Sequence, residues 1–571
     1  MDKHQIAQIL EDIGLLLQIK GENPFKIRAY ENAARIIELL DEDIVVLIQE
    51  HQLKNIKGIG STLAAQISEL VTTGQLEYYE ELRRLIPPGI FEMLRIPGLG
   101  PKKVKALYDH LHISTVGELE YACRENRLLD LPGFGAKTQQ KILQGIEYLK
   151  QFNGRFLISD ILPYAEKVLV ALRKHPDVLR GELGGSLRRH KEVVKDIDVL
   201  VSSNSAASVA EYFVSLPMVK TVLAQGETKV SVTLQTGINV DLRMVADEEF
   251  PYALHHFTGS KEHNTSMRQR AKEMGFKINE YGLFRGDQLV ACKDEESFFQ
   301  ALGLQYIPPE LRENNGEIEA AEHNQIPVLV KEMDLKGIFH VHTVYSDGSA
   351  TISDMAQSAQ ARGYQYLGIA DHSRAATYAR GLKEETLERQ LAEIDELNQR
   401  WTDFRILKGT ESDILTDGEL DYPEHILRQF DFVIASVHSH FQMSEQAMTQ
   451  RIIRAMENPY VTMLGHPTGR LLLSREGYPL NLREIILAAA RTKTIIEINA
   501  NPYRLDLDWR WCKYAKEQGV LLSINPDAHA IPELDYTSYG IGIARKGWLT
   551  AEDILNTRSL TELEPLLKRK R

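Results

Sequence analysis

The sequence predicts a multidomain α and α/β chain: a helical N-terminal region, an α+β middle, and a C-terminal domain whose strands and helices alternate as in a barrel. Three observations carry this. Up to about residue 150, apolar residues recur at three- and four-residue spacing, as in IAQILEDIGLLLQI and ENAARIIELL, the period of an amphipathic helix. From about 156 they gather into short β-rich runs, VKDIDVLV, KVSVTLQ and INVDLRMV. After Lys336, such runs (YLGIAD, DFVIASVH, VTMLGHP, TIIEINA, VLLSINPDAH) alternate with helical segments and each ends in a polar or His-containing stretch. At 571 residues the chain exceeds one domain of roughly 100–200 residues, and about three to five units are expected.

Composition narrows the class. Apolar residues make up 43% and charged residues 26%, the balance of a soluble globular protein. No apolar stretch approaches the roughly 20 residues of a membrane span. The N-terminal MDKHQIAQILEDIG has acidic residues and no apolar core, so neither membrane insertion nor secretion is expected. Three scattered cysteines (Cys123, Cys292, Cys512) argue against a disulfide framework or a Cys-based zinc site and suit a reducing cytoplasm. The net charge of −13 alone argues against a simple DNA binder. That objection is weak, because backbone amides and a few placed cations hold phosphates locally and metal-binding carboxylates add negative charge.

In the helical region a pattern occurs three times: KGIGSTLAAQI, PGLGPKKVKAL and PGFGAKTQQKI. The pairs Gly58/Gly60, Gly98/Gly100 and Gly133/Gly135 permit tight turns that present backbone N–H groups at a helix start, where a phosphate fits without a side chain. One copy reads equally well as a plain helix connection. Three copies in one region point to the helix-hairpin-helix, which such segments resemble and which binds DNA backbone without reading sequence.

The α+β region opens with GELGGSLRRHKEVVKDIDVLV. Asp196 and Asp198 alternate on a strand and so face the same way. A second strand, GINVDLRMV, supplies Asp241. Hard divalent cations take such oxygen ligands. A lone Asp-x-Asp would be read as surface strand residues. Here Gly184, Gly185 and Ser186 precede it, Arg189 can take a polyphosphate, and a third Asp follows.

These residues carry a specific resemblance. Gly-Ser-x-x-Arg, Asp-x-Asp and Val-Asp-x-Arg, followed by HFTGSKEHNTSMRQRA, resemble the nucleotidyltransferase palm of DNA polymerase beta and its family X relatives. The resemblance implies metal binding and catalysis by Asp196, Asp198 and Asp241, and triphosphate binding by Gly185, Ser186 and Arg189. It implies a sugar pocket of Phe257, Thr258 and Gly259, a base contact from Asn264, and a template contact from Arg268. Glu280 and Tyr281 also fall where the family has Glu-Tyr. His256 stands where the family has Tyr, which leaves selection against ribonucleotides open. Upstream, NPFKIRAYENAARII is similar to the family's DNA-end-binding domain, implying 5′-phosphate contacts from Lys26 and Tyr30. The family's Schiff-base lysine is Gln66 here, and Gln cannot form a Schiff base. Thr62 replaces a basic residue one turn earlier. The usual lyase chemistry is therefore not expected.

The third constellation is GIFHVHTVYSDG, IADHS, GTESDIL, SVHSH, LGHPTGR and NPDAH. His340, His342, Asp347, His372, Glu411, His438, His466, Asp527 and His529 lie at or just after strand ends. Any one His would be read as structural, but the set follows β-rich runs repeatedly, and imidazole with carboxylate suits Zn²⁺, Mn²⁺ or Fe²⁺. Nine such residues suffice for two or three metals. The pattern resembles the polymerase and histidinol phosphatase (PHP) domain, a distorted (β/α)7 barrel. His440 and Asp371 are expected around the ligands. Arg374, Arg380, Arg470 and Arg504 are phosphate-contact candidates, although isolated arginines are more often surface residues.

The expected divisions are an end-binding domain at 1–87, helix-hairpin-helix fingers at 88–150, palm at 151–247, thumb at 248–315, a polar Pro-containing linker at 316–335 and the PHP domain at 336–571. The resemblance implies a DNA polymerase that fills short gaps in base excision repair, using Mg²⁺ or Mn²⁺. Family members with this fusion often carry a Mn²⁺-dependent 3′–5′ exonuclease, and some cleave abasic sites or remove 3′ blocking groups; the sequence does not choose among these. The partners expected are gapped or nicked DNA, deoxynucleoside triphosphates and other repair proteins, in the cytoplasm at the nucleoid. The alternatives are a small-phosphomonoester phosphatase in the PHP domain and a palm that only docks DNA.

Overall fold

The computed structural model describes residues 3–38, 40, 44–49, 52–56, 58–87, 89–94, 96, 99–129, 131–150 and 154–568. The chain forms two compact units, Met1–Leu149 and Lys150–Arg571.

The first unit is helical, as its apolar spacing dictates. Ile6, Leu10, Ile13 and Leu17 line one stripe of the first helix and pack with Ala33, Ala34 and Ile37 in a single core. Helices α1 (Ser61–Thr73), α2 (Pro101–Leu111) and α3 (Ala136–Lys150) each follow a Gly-x-Gly turn. The middle residue of each turn is buried (Ile59, Leu99 and Phe134), so it pins the turn to the core. The flanking Gly58, Gly60, Gly100, Gly133 and Gly135 stay exposed. Gly58 (φ 104°) and Gly133 (φ 85°) need left-handed backbone. Space beyond Gly60, Gly100 and Gly135 is open, so these glycines leave the amide face of the helix start uncovered. Gly98 lies outside the described residues.

The second unit begins with a five-stranded sheet. Its strands are β1 (Val178–Leu183), β2 (Asp196–Ser203), β3 (Val219–Gln225), β4 (Lys229–Leu234) and β5 (Asn239–Val245), in the order β1-β2-β5-β4-β3. Only the β2–β5 pair is parallel. Along β2, Ile197, Val199 and Val201 enter the core while Asp196 and Asp198 take the opposite face, the period-two pattern of a half-buried strand. A one-turn helix, α4 (Gly185–Arg188), lies between β1 and β2.

Helices α5 (Phe250–Thr258) and α6 (Lys261–Glu273) come next. The stretch to Gly303 also holds a small three-stranded antiparallel sheet of Lys277–Asn279, Gly282–Arg285 and Gln288–Leu289. Local turn chemistry makes it. The Asn279 side chain accepts from the amides of Tyr281 and Gly282, each at 3.0 Å, and Gly286 turns the next corner at φ 60°.

The expected linker at 316–335 is ordered instead, with a helix α7 (Glu317–Glu322). Its polarity misled because its charge is used internally. Glu317 is fully buried, meets His263 Nδ1 at 2.6 Å, and accepts from the amides of Asn314 and Asn315. Ile318 and Ala321 join the core of the preceding segment.

The remaining residues build a seven-stranded all-parallel sheet in sequence order. The strands are β6 (Gly337–Val341), β7 (Tyr366–Ile369), β8 (Arg405–Asp413), β9 (Phe432–Ser436), β10 (Met463–Leu464), β11 (Ile495–Asn499) and β12 (Leu522–Asn525). The ends of the first and last strands meet, since His342 N donates to Ala528 O (2.8 Å) and Ala528 N to His340 O (3.2 Å). The fold is thus a nearly closed, distorted barrel with its polar segments at the strand C-termini. A further helix, α8 (Thr537–Lys546), packs on β12 and on the segment Pro309–Leu311. Among the described residues, no helix is long and apolar enough to cross a membrane.

Candidate active sites

The first site stands where β2 meets β5. Their parallel register places Asp198 directly beside Asp241, with Asp196 beside Asn239. Gly184 N donates to Asp198 O at 2.8 Å, fixing the Gly-Gly turn against the carboxylates. Lys229 Nζ (2.7 Å) and Ser231 Oγ (2.6 Å) bond Asp241. Burial, then the neighbouring Asp196 and Asp241, pushes the Asp198 carboxyl up to about 6. Burial and Asp241 also raise Asp196. Burial raises Asp241 too, but Lys229 and Ser231 outweigh it and hold that carboxyl below its ordinary value. Three crowded carboxylates that repel one another are a donor set for hard cations.

The residues predicted for a nucleotide and template have the following partners. Phe257 lies under the Arg243 guanidinium, 4.2 Å from ring centre to charge. Thr258 Oγ1 accepts from Arg188 (2.7 Å). Gly259 abuts Asn264, whose side-chain amide donates to His256 O at 2.7 Å. Arg268 is exposed on α6. Arg189 is buried: its Nε donates to Glu313 (3.0 Å) and its Nη1 to Thr258 O (2.7 Å).

The second site lies at the barrel's strand C-termini, and all nine predicted residues converge there. His342, Asp347, His372 and His529 form one group, His340, His342 and Asp527 a second, and His372, Glu411 and His438 a third, each with donor atoms within 4.8 Å of one another. His466 Nε2 meets Glu411 at 2.8 Å. His340 and His342 face one site although their strand is irregular. The register shifts between Ile338 and Val341, and His340 has φ 60° and Asp527 φ 51°, left-handed conformations that a non-glycine residue adopts at a cost. Burial raises the Glu411 carboxyl, but His438, His340 and His372 outweigh it and hold it well below its ordinary range. The donor set fits a metal cluster. His340 Nε2 and His342 Nδ1 are buried with no hydrogen-bond partner among the described residues, and they point into the cluster, where a cation would satisfy them.

Two supporting carboxylates escaped the sequence reading. Glu497 holds His340 Nδ1 at 2.6 Å and Asp413 holds His438 Nδ1 at 2.6 Å, the arrangement that orients ligating imidazoles. The signal for Glu497 was a Glu inside the apolar run TIIEINA. Tyr378 places its ring 6.1 Å from that of His372 and 6.3 Å from that of His438. The Asp371 carboxylate bonds Thr343, Ser346 and Gln390. His440 is exposed and outside the cluster.

Family patterns match at residues 1–76 (helix-hairpin-helix domain), 90–147 (SAM-like helix-hairpin-helix tandem), 253–313 (DNA polymerase beta thumb) and 339–501 (PHP domain). A Bacillus subtilis protein, "DNA polymerase/3′-5′ exonuclease PolX", is 40% identical over 573 residues, covering 100% of both chains. The chain belongs to the PolX family. Probable phosphatases of Thermoanaerobacter sp. and Acetivibrio thermocellus are each 29% identical over 41% of this chain and cover 94% and 95% of their own lengths. The fit to PolX thus spans both sites, and the fit to the phosphatases about two fifths of the chain.

Several residues singled out in the sequence are engaged differently in the structure. Tyr30 is buried and donates to Gln66 Oε1 at 2.9 Å, so its hydroxyl is engaged inside the unit instead of facing a phosphate. Lys26 is exposed, 5.3 Å from the Tyr78 ring centre. Arg470 is no phosphate contact: its guanidinium is held by Asp508 (2.6 Å) and the carbonyls of Arg504 and Leu505. Arg504 is buried 3.5 Å from Asp527. Arg374 and Arg380 remain exposed.

Proposed function

We propose that the chain is a metal-dependent DNA polymerase that fills short gaps, and that its PHP site is a 3′–5′ exonuclease acting on the same primer ends. The observation that supports it most is the register of β2 and β5, which sets Asp198 beside Asp241 in a chain that matches PolX along its whole length.

Asp196, Asp198 and Asp241 would hold Mg²⁺ or Mn²⁺, which when bound supply positive charge at the reacting oxygens. The chain's own part is positioning. The Gly184–Gly185 turn, Ser186 and Arg189 hold the triphosphate. Phe257, Thr258 and Gly259 line the sugar, Asn264 meets the incoming base, and Arg268 meets the template. The exposed hairpin glycines offer amides to the DNA backbone, which carries affinity without sequence information. In the PHP site the nine residues would hold two or three Mn²⁺, Zn²⁺ or Fe²⁺, which when bound supply Lewis acidity toward a phosphoester. The exposed Arg374 and Arg380 would meet a DNA phosphate.

The phosphatase relatives favour a second reading, in which the PHP site hydrolyses a small phosphomonoester. Turnover of a small aryl phosphate and of a primer 3′ end, measured side by side with Mn²⁺, separates them. The exonuclease reading expects the DNA end to be the far better substrate; comparable or faster turnover of the aryl phosphate supports the phosphatase.

A further inference from the structure

Arg189 is buried, held by Thr258 and Glu313 and, through Glu313, by a lysine of the PHP domain. Its Nε donates to Glu313 Oε1 at 3.0 Å. The same oxygen accepts from Lys546 Nζ at 2.5 Å, and Lys546 Nζ also donates to Arg189 O at 3.0 Å. Lys546 ends α8, the helix that packs on β12 of the barrel, and its side chain is fully buried. The helix meets the palm closely. A side chain at Gly542 would strike His190, and Arg545 pairs with Glu310 at 2.6 Å. With Nε on Glu313 and Nη1 on Thr258 O, the guanidinium has two of its three nitrogens fixed.

Without the lysine, Glu313 would carry the charge of Arg189 alone and could pull the guanidinium fully into a bidentate pair, away from a triphosphate. Shared between two cations, Glu313 orients Arg189 without neutralising it completely. We propose that Lys546 of the PHP domain is a positioning residue for deoxynucleotide binding in the palm, acting through Glu313 and Arg189. This rests on the reading that Arg189 binds the triphosphate.

The test is steady-state primer extension by the full-length protein. Lys546→Met is expected to raise KM for deoxynucleotide by about tenfold, the scale of one charge-assisted hydrogen bond, with kcat changed less than KM. Lys546→Arg, which keeps charge and donors, recovers most of the loss. Arg545→Gln, one residue away in the same interface, leaves KM near wild type. Glu313→Gln raises KM as well, and the Lys546→Met/Glu313→Gln double variant is less than additive. Primer shortening without nucleotides stays near wild type in every variant and reports that the chain is folded. Should Lys546→Met not fold, Glu313→Gln and Lys546→Arg carry the test. An unchanged KM in Lys546→Met, or an equal rise in Arg545→Gln, overturns the proposal. Arg189→Ala in the same panel separates the causes. If it raises KM and Lys546→Met does not, only the positioning role fails; if it leaves KM unchanged, the triphosphate reading fails and takes the proposal with it.

Discussion

Gly185 has no room for a side chain. Its φ is 57°, a conformation that suits glycine, and a Cβ there would collide with Asp198 Oδ2. The Gly-Gly-Ser turn is therefore seated directly on a carboxylate of the palm. Gly185→Ala is expected to shift Asp198 and lower primer extension by about a hundredfold, the cost of misplacing a reacting group by roughly 1 Å, while primer shortening stays intact; an equal loss of both activities would mean general unfolding. In the barrel, Glu497 stands behind His340. Glu497→Gln keeps the shape but loses the charge that orients the imidazole. Metal affinity, read by equilibrium dialysis and elemental analysis, is expected to fall by about 10–100-fold, and unchanged metal content after dialysis contradicts that role.

Between elements, the one-turn helix α4 is tied by charge to the segment 295–312. Arg188 pairs with Glu295 at 2.7 Å, and the fully buried Arg312 binds the other Glu295 oxygen. Burial alone would raise the Glu295 carboxyl, but Arg312 and Arg188 outweigh it and lower it from 4.5 to about 2. A depressed acid stabilises the fold above its unfolded pKa and loses that contribution as pH falls toward the folded one. Glu295→Gln, which leaves a buried guanidinium short of charge, is expected to cost about 3 kcal/mol at neutral pH. The melting-temperature gap between wild type and Glu295→Gln should hold steady down to about pH 5 and narrow below 4.5. A gap that is independent of pH would show that the pair's charge contributes nothing. Elements were legible where period decided them. The alternation in DIDVLV placed Asp196 and Asp198 correctly on one face of β2. Strand β8 was harder, because RILKGTESD is polar enough to read as a loop, and its polarity is Glu411, which meets His466 and His438, and Asp413, which holds His438. The segment 316–335 failed in the same way: Glu317 looked like solvated linker charge and is a buried partner of His263. A polar residue whose partner is distant in sequence has no local signature.

For the whole molecule, the nine PHP residues were legible as a set because each lies near or after the C-terminal end of a strand, and parallel strands in a barrel bring such ends together whatever their separation in sequence. The bulge at His340 was not legible, since two residues apart reads as one face in either case. Nor was the packing of α8 against Arg189, His190 and Glu310, which joins segments far apart in the chain. That one chain holds two separable catalytic centres is decided on a 5′-labelled primer annealed across a short gap with Mn²⁺, with and without deoxynucleotides, for wild type, Asp196→Ala/Asp198→Ala and His340→Ala/His342→Ala. Two separable centres predict that the Asp variant loses only extension and the His variant only shortening. A His variant that still shortens the primer, or a wild type that never extends it, contradicts that claim.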